Sequence, residues 1–134
     1  MNITFKVLKM IDINSKTQPK NSISDLIVES IYILNNVMGL TKTSFLLRDD
    51  SVKAHYVDLY IKEIELKYPK SSFNKFENSL NILYMVIEDF HKFSKNLKNL
   101  IKSIKDENLV AFLLDILKVV DLQPKLIKSI QKRL

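Results

Sequence analysis

The stretch Asn78–Phe90, NSLNILYMVIEDF, decides the fold, because it contains six consecutive apolar residues from Ile82 to Ile87. At about 100° per residue, such a run leaves no face of a helix for water, so other helices must surround it. The stretch therefore predicts a buried central helix. Its main apolar stripe comprises Phe76, Leu80, Leu83, Tyr84, Ile87 and Phe90. The fold class that follows is all-α, a compact bundle of six or seven helices around this one.

The composition indicates one helical domain. The chain has 134 residues, 46% of them hydrophobic and 27% charged, as is typical of a globular protein. A single glycine and three prolines disfavour a turn-rich β-sandwich. We expect one domain over residues 1–134, with an irregular N-terminal segment and linker in 1–21 and the helical bundle in 22–134. Within the first segment, Ile3–Ile13 is open between a short strand and a helical turn.

A capping signal opens the first helix. Ser22 followed by Asp25 resembles a capping box, and apolar residues recur at helical spacing after it. These patterns predict a helix over about Ile23 to Met38, closed by Gly39 in a left-handed C-terminal cap. We expect Phe45 to Leu47 to form a separate helical turn.

Further caps and breakers delimit the next two helices. Asp50 or Ser51 can cap a helix that stops before Pro69, since the residue before proline is pushed out of the helical region. Asn74 with Glu77 makes a plausible capping box for the central helix.

The C-terminal third predicts several shorter helices. The apolar pattern weakens at Ser94–Asn96 and then resumes. Asp106 suits the cap of a largely buried helix over Leu109–Val120, and Gln123 with Pro124 begins a last helix, where proline is tolerated at the first position.

The residue inventory argues against catalysis and metal binding. The chain has no cysteine, and its two histidines, His55 and His91, would need carboxylates from distant segments to hold zinc. Because Gly39 is the only glycine, a glycine-rich phosphate loop is excluded. We predict a non-enzymatic protein without catalytic residues, metal or cofactor.

The apolar runs also bear on location. The longest are six residues, far short of the roughly 20 that cross a bilayer. Lysines interrupt the apolar N-terminal stretch, which is a poor secretory signal. We therefore expect an intracellular, cytoplasmic protein with no transmembrane segment.

The net charge of +6 arises in the last third of the chain, where residues 92–134 carry ten basic and four acidic side chains. Five lysines would lie within an arc of roughly 140° of a continuous helix and could track phosphates. They are Lys92, Lys95, Lys98, Lys102 and Lys105. The plainer interpretation is a solvated lysine face, which the presence of only two arginines favours. A small basic nucleic-acid-associated protein is the first alternative function.

Two tyrosines are candidate anchors for a protein partner. Most aromatic residues fall on helical stripes and are explained by core packing. Tyr56 and Tyr60 are one helical turn apart, and exposed tyrosines are frequent interface anchors. We name both as candidate binding residues.

Arg48 and His55 define a second alternative. The six residues between them fit the loose Arg-x(4–6)-His spacing of the HEPN ribonuclease superfamily, which this pair resembles. In such a site the arginine would stabilise phosphate and the histidine would transfer a proton. This resemblance implies a HEPN-type ribonuclease or toxin–antitoxin component; the plain interpretation is an exposed loop arginine and a surface histidine.

The order of the helical segments resembles the Bcl-2-like proteins with which poxviruses modulate host innate-immune and death signalling. The resemblance lies in SISDLIVESIYILNNV at 22–37, FLLRDDSVKAHYVDLYIKEI at 45–64, the stretch at 78–90 and NLVAFLLDILKVVDLQPKLIKSIQKRL at 108–134. It implies an apolar helix wrapped by about six amphipathic ones. Because the glycine-containing groove motif of cellular Bcl-2 proteins is absent, it implies adaptor binding rather than capture of death-peptide helices.

The leading expectation is therefore a non-enzymatic protein–protein interaction module, a viral modulator acting in the host cytoplasm. Its expected partner is a host signalling adaptor, bound through the first and second helices. A homodimer and non-specific nucleic-acid binding stay open as alternatives.

Overall fold

The computed structural model describes residues 22–76 and 79–134, and most of these residues are helical. The helices are α1 Ile23–Leu47, α2 Ser51–Lys67, a 3-10 helix Lys70–Phe76, α3 Leu80–Ile101 and α4 Glu107–Gln131. No strand occurs in these two ranges. The all-α class is thus confirmed, whereas the expected six or seven helices are replaced in the described residues by four long α-helices and one short 3-10 helix. The alternatives for Ile3–Ile13 and the linker in 1–21 lie outside the described residues.

Helix α1 is the central element, because it packs against each of the other helices. Its buried side chains run along its whole length, from Leu26 to Phe45, and Ile27, Leu34 and Val37 are fully enclosed. Helices α1 and α2 pack as consecutive neighbours, and so do α3 and α4. The core therefore lies around α1, with α3 and α4 laid against one of its sides.

The predicted central helix is amphipathic instead. Tyr84 is 46% exposed and Met85 is 41% exposed, so the run from Ile82 to Ile87 does face water on one side. Its buried stripe comprises Leu83, Val86, Ile87, Phe90, Phe93 and Leu97. The prediction was wrong because an apolar run shows only which faces of a helix can be buried. The number of neighbouring helices determines how many of those faces are buried.

Helix α1 continues through Gly39, which was predicted to end it. Gly39 does not adopt positive φ, and the helix ends at Leu47. The left-handed residue is Asp49, with φ of 56°, in the turn that leads to α2. Residues beyond the glycine explain the continuation, since Thr41 and Phe45 are fully buried. Their burial offsets the cost of about 1 kcal/mol for glycine inside a helix.

The C-terminal segments merge in the same way. Helix α3 runs through Ser94–Asn96 to Ile101, and α4 contains Pro124 in its interior. The Ser94 hydroxyl is buried and donates a hydrogen bond to Asp121 on α4. Tertiary contacts therefore hold together stretches that local sequence signals divide.

The predicted caps are confirmed where the structure describes them. The Ser22 hydroxyl accepts a hydrogen bond from the Asp25 backbone N–H at 3.1 Å. Asp50 and Asp106 cap α2 and α4 in the same manner. Helix α2 ends at Lys67, shortly before Pro69.

The start of α3 differs from its predicted cap. Ser79 caps the helix by accepting from the Ile82 N–H. Glu77, the second member of the predicted capping box, lies outside the described residues.

Helix α1 is long and apolar enough to cross a membrane, judged by length and composition. Half of its most apolar 18-residue window is buried inside the fold. A core helix of a soluble protein meets the same criteria, so the expectation of no transmembrane segment stays a prediction.

Candidate binding surfaces

Helix α2 carries apolar side chains on two opposite faces. Ala54, Val57 and Ile64 are buried on the inner face. On the outer face Val52 is 65% exposed and Leu66 is 84% exposed. We call the outer set the α2 outer stripe: Val52, Tyr56, Leu59, Glu63 and Leu66. All five are exposed, and among the described residues nothing covers them.

The residues of the α2 outer stripe follow one another at intervals of four, three, four and three. This is the heptad spacing of a helix–helix seam, and it places all five within an arc of roughly 80°. From the sequence, only Tyr56 and Tyr60 on this helix were named as candidate binding residues, and Val52, Leu59 and Leu66 were not.

Basic and neutral side chains border the α2 outer stripe. In heptad terms His55 and Lys62 flank it on one side, and Lys53, Tyr60 and Lys67 flank it on the other. Three of these lysines are held by aspartates away from the seam: Lys53 by Asp50, Lys62 by Asp58 and Lys67 by Asp89. No acidic residue occupies a flanking position, and Lys62 is the flanking lysine whose side chain stays mostly exposed, at 66%.

The two predicted tyrosine anchors are only partly brought together. Tyr56 is 52% exposed and lies in the α2 outer stripe. Tyr60 lies at its border and is partly buried against the core. Burial, followed by the nearby charge of Glu63, raises the pKa of the Tyr60 hydroxyl. Tyr56 is therefore the more accessible of the two tyrosines.

The five predicted lysines are all exposed. Lys92, Lys95 and Lys98 lie on α3, Lys102 caps its C-terminus, and Lys105 lies in the connection to α4. Helix α4 adds a second set of exposed basic residues. We call the two sets together the α3–α4 basic surface: Lys92, Lys95, Lys98, Lys102, Lys105, Lys118, Lys125, Lys128, Lys132 and Arg133.

Among the described residues, the most buried charged group is the carboxylate of Asp89 on α3, whose side chain is 4% exposed. It accepts hydrogen bonds from the Tyr68 hydroxyl and from Lys67 Nζ, the latter at 2.8 Å. Burial, and then the hydrogen bond to Asp89, raises the pKa of the Tyr68 hydroxyl far above its usual value. The Tyr68 ring also meets Phe76 edge to face. The cluster ties the end of α2 to α3 and offers no open position for a substrate.

Arg48 lies beside a cavity of about 460 Å³ between the α1–α2 turn and the α3–α4 connection. Its guanidinium pairs with Asp106 across this cavity at 2.8 Å. His55 is exposed on α2 and does not line the cavity. Arg48 therefore forms an ion pair with the residue that caps α4. Arg48 and His55 do not line the same cavity.

The described ranges contain no cluster of side chains that could hold a metal ion. Among residues 22–76 and 79–134, no three His, Asp or Glu side chains come together as metal ligands. His91 is exposed on α3.

Comparison with known proteins returns no relative: no family model, curated protein or solved structure matches this chain.

Proposed function

We propose that the protein is a non-enzymatic helical binding module that docks a helix of a partner protein on the α2 outer stripe. The observation that carries this proposal is the second apolar face of α2. Its inner face already packs in the core, while Val52, Leu59 and Leu66 keep about half or more of their surface exposed to solvent. Four of the five stripe residues are apolar or aromatic, with Glu63 as the charged member. A seam of this kind at heptad spacing is the surface on which an amphipathic helix packs.

The charge of the stripe border defines the partner. A helix with acidic residues beside its apolar seam would meet the exposed ammonium group of Lys62 with complementary charge. Burying the seam strengthens this contact by excluding water. The proposed occupant is therefore an amphipathic helix with acidic flanks.

Lysines at the border also disfavour a parallel pairing of the stripe with a second copy of this chain. In a parallel pair Lys62 would face Lys67 of the other copy, because these positions are the g and e sites of adjacent heptads. Like charges oppose this pairing.

The resemblance to poxvirus Bcl-2-like proteins adds the narrower proposal that the partner is a host signalling adaptor. The α2 outer stripe neither depends on that resemblance nor supports it. A partner of any origin that presents an acidic-flanked helix would satisfy the contacts.

A pair of synthetic helical peptides tests the proposal with the full chain. Both carry leucine at the seam positions; one has glutamate and the other lysine at the flanking positions. We expect fluorescence anisotropy to show binding of the glutamate-flanked peptide only. In the Leu59→Ser, Leu66→Ser variant the affinity should fall at least about tenfold, which corresponds to the loss of about 1.4 kcal/mol.

Leu122→Ser supplies the matched control, since Leu122 is 50% exposed on α4 and lies outside the stripe. This variant should bind the glutamate-flanked peptide like the wild type. Equal binding of both peptides, or equal losses in the two variants, would overturn the proposal. So would a wild-type dimer that the Leu59→Ser, Leu66→Ser variant converts to a monomer, because the stripe would then be a self-association surface.

A further inference from the structure

The α3–α4 basic surface is separate from the α2 outer stripe and carries an unbalanced charge. All ten basic residues of 92–134 are exposed. Within the described residues only two of them form ion pairs: Lys98 with Asp121 at 3.7 Å and Lys118 with Asp115 at 3.6 Å. The remaining lysines have no carboxylate partner there, so the surface has a net positive potential that attracts anions.

The lysines form rows on two adjacent helices. On α3, Lys92, Lys95 and Lys98 follow at intervals of three residues, and Lys102 comes four residues later. With a rise of about 1.5 Å per residue, this row extends about 15 Å. On α4, the exposed Lys118, Lys125, Lys128 and Lys132 continue along the neighbouring helix.

Asp121 fixes the two helices to each other at this surface. Its carboxylate accepts a hydrogen bond from the buried Ser94 hydroxyl of α3 and pairs with Lys98 of the same helix. The α3 row and the α4 row are therefore held on one rigid helix pair. A surface with repeated positive charges suits a ligand that carries a repeated array of negative charges.

The exposed face of α3 between the lysines favours a polyanion over a membrane. Over 91–102 its other exposed residues are His91 and Asn99, so this segment of α3 presents no apolar side chain; on α4, Leu114 and Leu122 are exposed beside the lysine row. A helix that binds at a membrane interface needs a continuous apolar face to insert, which two separate leucines do not form. Lysine ammonium groups without arginine forks favour contacts to phosphates rather than to base edges.

From these observations we propose that the α3–α4 basic surface binds the phosphate backbone of nucleic acid without sequence specificity. The Lys92, Lys95 and Lys102 ammonium groups supply the central contacts, since each is exposed and without an ion-pair partner among the described residues. This inference does not rest on the helix-docking function of α2. Each surface can be tested while the other is intact.

Anisotropy titrations of the full chain with labelled random-sequence DNA and RNA duplexes over a salt series test the inference. Binding should be independent of sequence, and the logarithm of the affinity should fall linearly with the logarithm of salt concentration. In the Lys92→Gln, Lys95→Gln, Lys102→Gln variant we expect weaker binding to every duplex. The slope should become shallower by about 0.9 for each lysine removed.

The matched control is Lys42→Gln, Lys70→Gln, Lys75→Gln, which removes the same charge from α1 and the 3-10 helix. It should retain the wild-type slope. No binding at low salt, or equal losses in the two triple variants, would overturn the inference, the second result showing an effect of net charge alone. Binding to phosphatidylserine vesicles without binding to nucleic acid would overturn it in favour of a membrane surface. Circular dichroism of each variant confirms that the helices are intact.

Discussion

The hydroxyl of Tyr68, at the end of α2, donates a hydrogen bond to the buried carboxylate of Asp89 on α3. Lys67 supplies the opposite charge to the same carboxylate at 2.8 Å. A buried charge is costly unless it is paired and hydrogen-bonded, and here it is both. The three side chains therefore determine how the end of α2 sits on α3.

Replacing Asp89 by alanine should destabilise the protein by about 3 kcal/mol, because the buried Tyr68 hydroxyl and the half-buried Lys67 charge lose their acceptor. Urea unfolding monitored by circular dichroism measures this loss. Asp115→Ala is the control: Asp115 pairs with the exposed Lys118, so its replacement should change stability by less than about 0.5 kcal/mol. Equal stabilities of the two variants would show that the Asp89 cluster contributes nothing.

Replacing Gly39 by alanine should stabilise the protein by about 0.5–1 kcal/mol. Gly39 lies inside α1 without positive φ, and an added Cβ would meet no atom within 4 Å. Alanine restricts the unfolded chain and favours helix. Gly39→Pro should cost about 3 kcal/mol or more, since it breaks a helix interior. If Gly39 were instead a left-handed cap, the alanine variant would lose stability in thermal unfolding.

Leu83 and Met85 should respond differently to aspartate although they lie in one apolar run. Leu83 is fully buried, so Leu83→Asp places an unpaired charge in the core and should cost more than about 3 kcal/mol. Met85 is 41% exposed, and Met85→Asp should cost less than about 1 kcal/mol. Denaturant titration of both variants checks the difference. Similarly large losses of stability in both variants would support the fully buried helix that was predicted from the sequence.

Stability should depend on pH through Asp58. Its carboxylate receives Lys42 Nζ at 2.7 Å and Lys62 Nζ at 3.1 Å, and these hydrogen bonds lower the pKa of Asp58 below its ordinary value of 3.8. A carboxyl with a lowered folded-state pKa stabilises the protein above its unfolded-state pKa. That contribution is lost as the pH falls below about 4 through the folded-state value.

Unfolding midpoints measured between neutral and acidic pH test this dependence. The wild type should exceed Asp58→Asn at neutral pH, and the two should converge below the pKa of Asp58. A constant difference at all pH values would contradict the assigned role. Asp25→Asn is a suitable comparison, because Asp25 is exposed in the first turn of α1 and forms no ion pair among the described residues.

Local signals in the sequence determined where three helices begin and where one ends. Ser22, Asp50 and Asp106 cap the helices that were predicted from them, and α2 stops before Pro69. These features are predictable because each depends on hydrogen bonds or sterics within about four residues. The exposure of the lysines from Lys92 to Lys105 was predictable as well, since their spacing places them on one side of a helix.

Tertiary packing decided the features that local signals misplaced. Gly39 and Pro124 lie inside long helices because the buried residues around them, such as Phe45 and Ile127, gain more from the core than the breakers cost. The spacing of the second apolar face of α2 is present in the sequence, but its exposure was established only when Ile64 was known to be buried and Leu66 to face water. A sequence specifies which faces of a helix are apolar, but which of those faces is buried depends on neighbours that are distant along the chain.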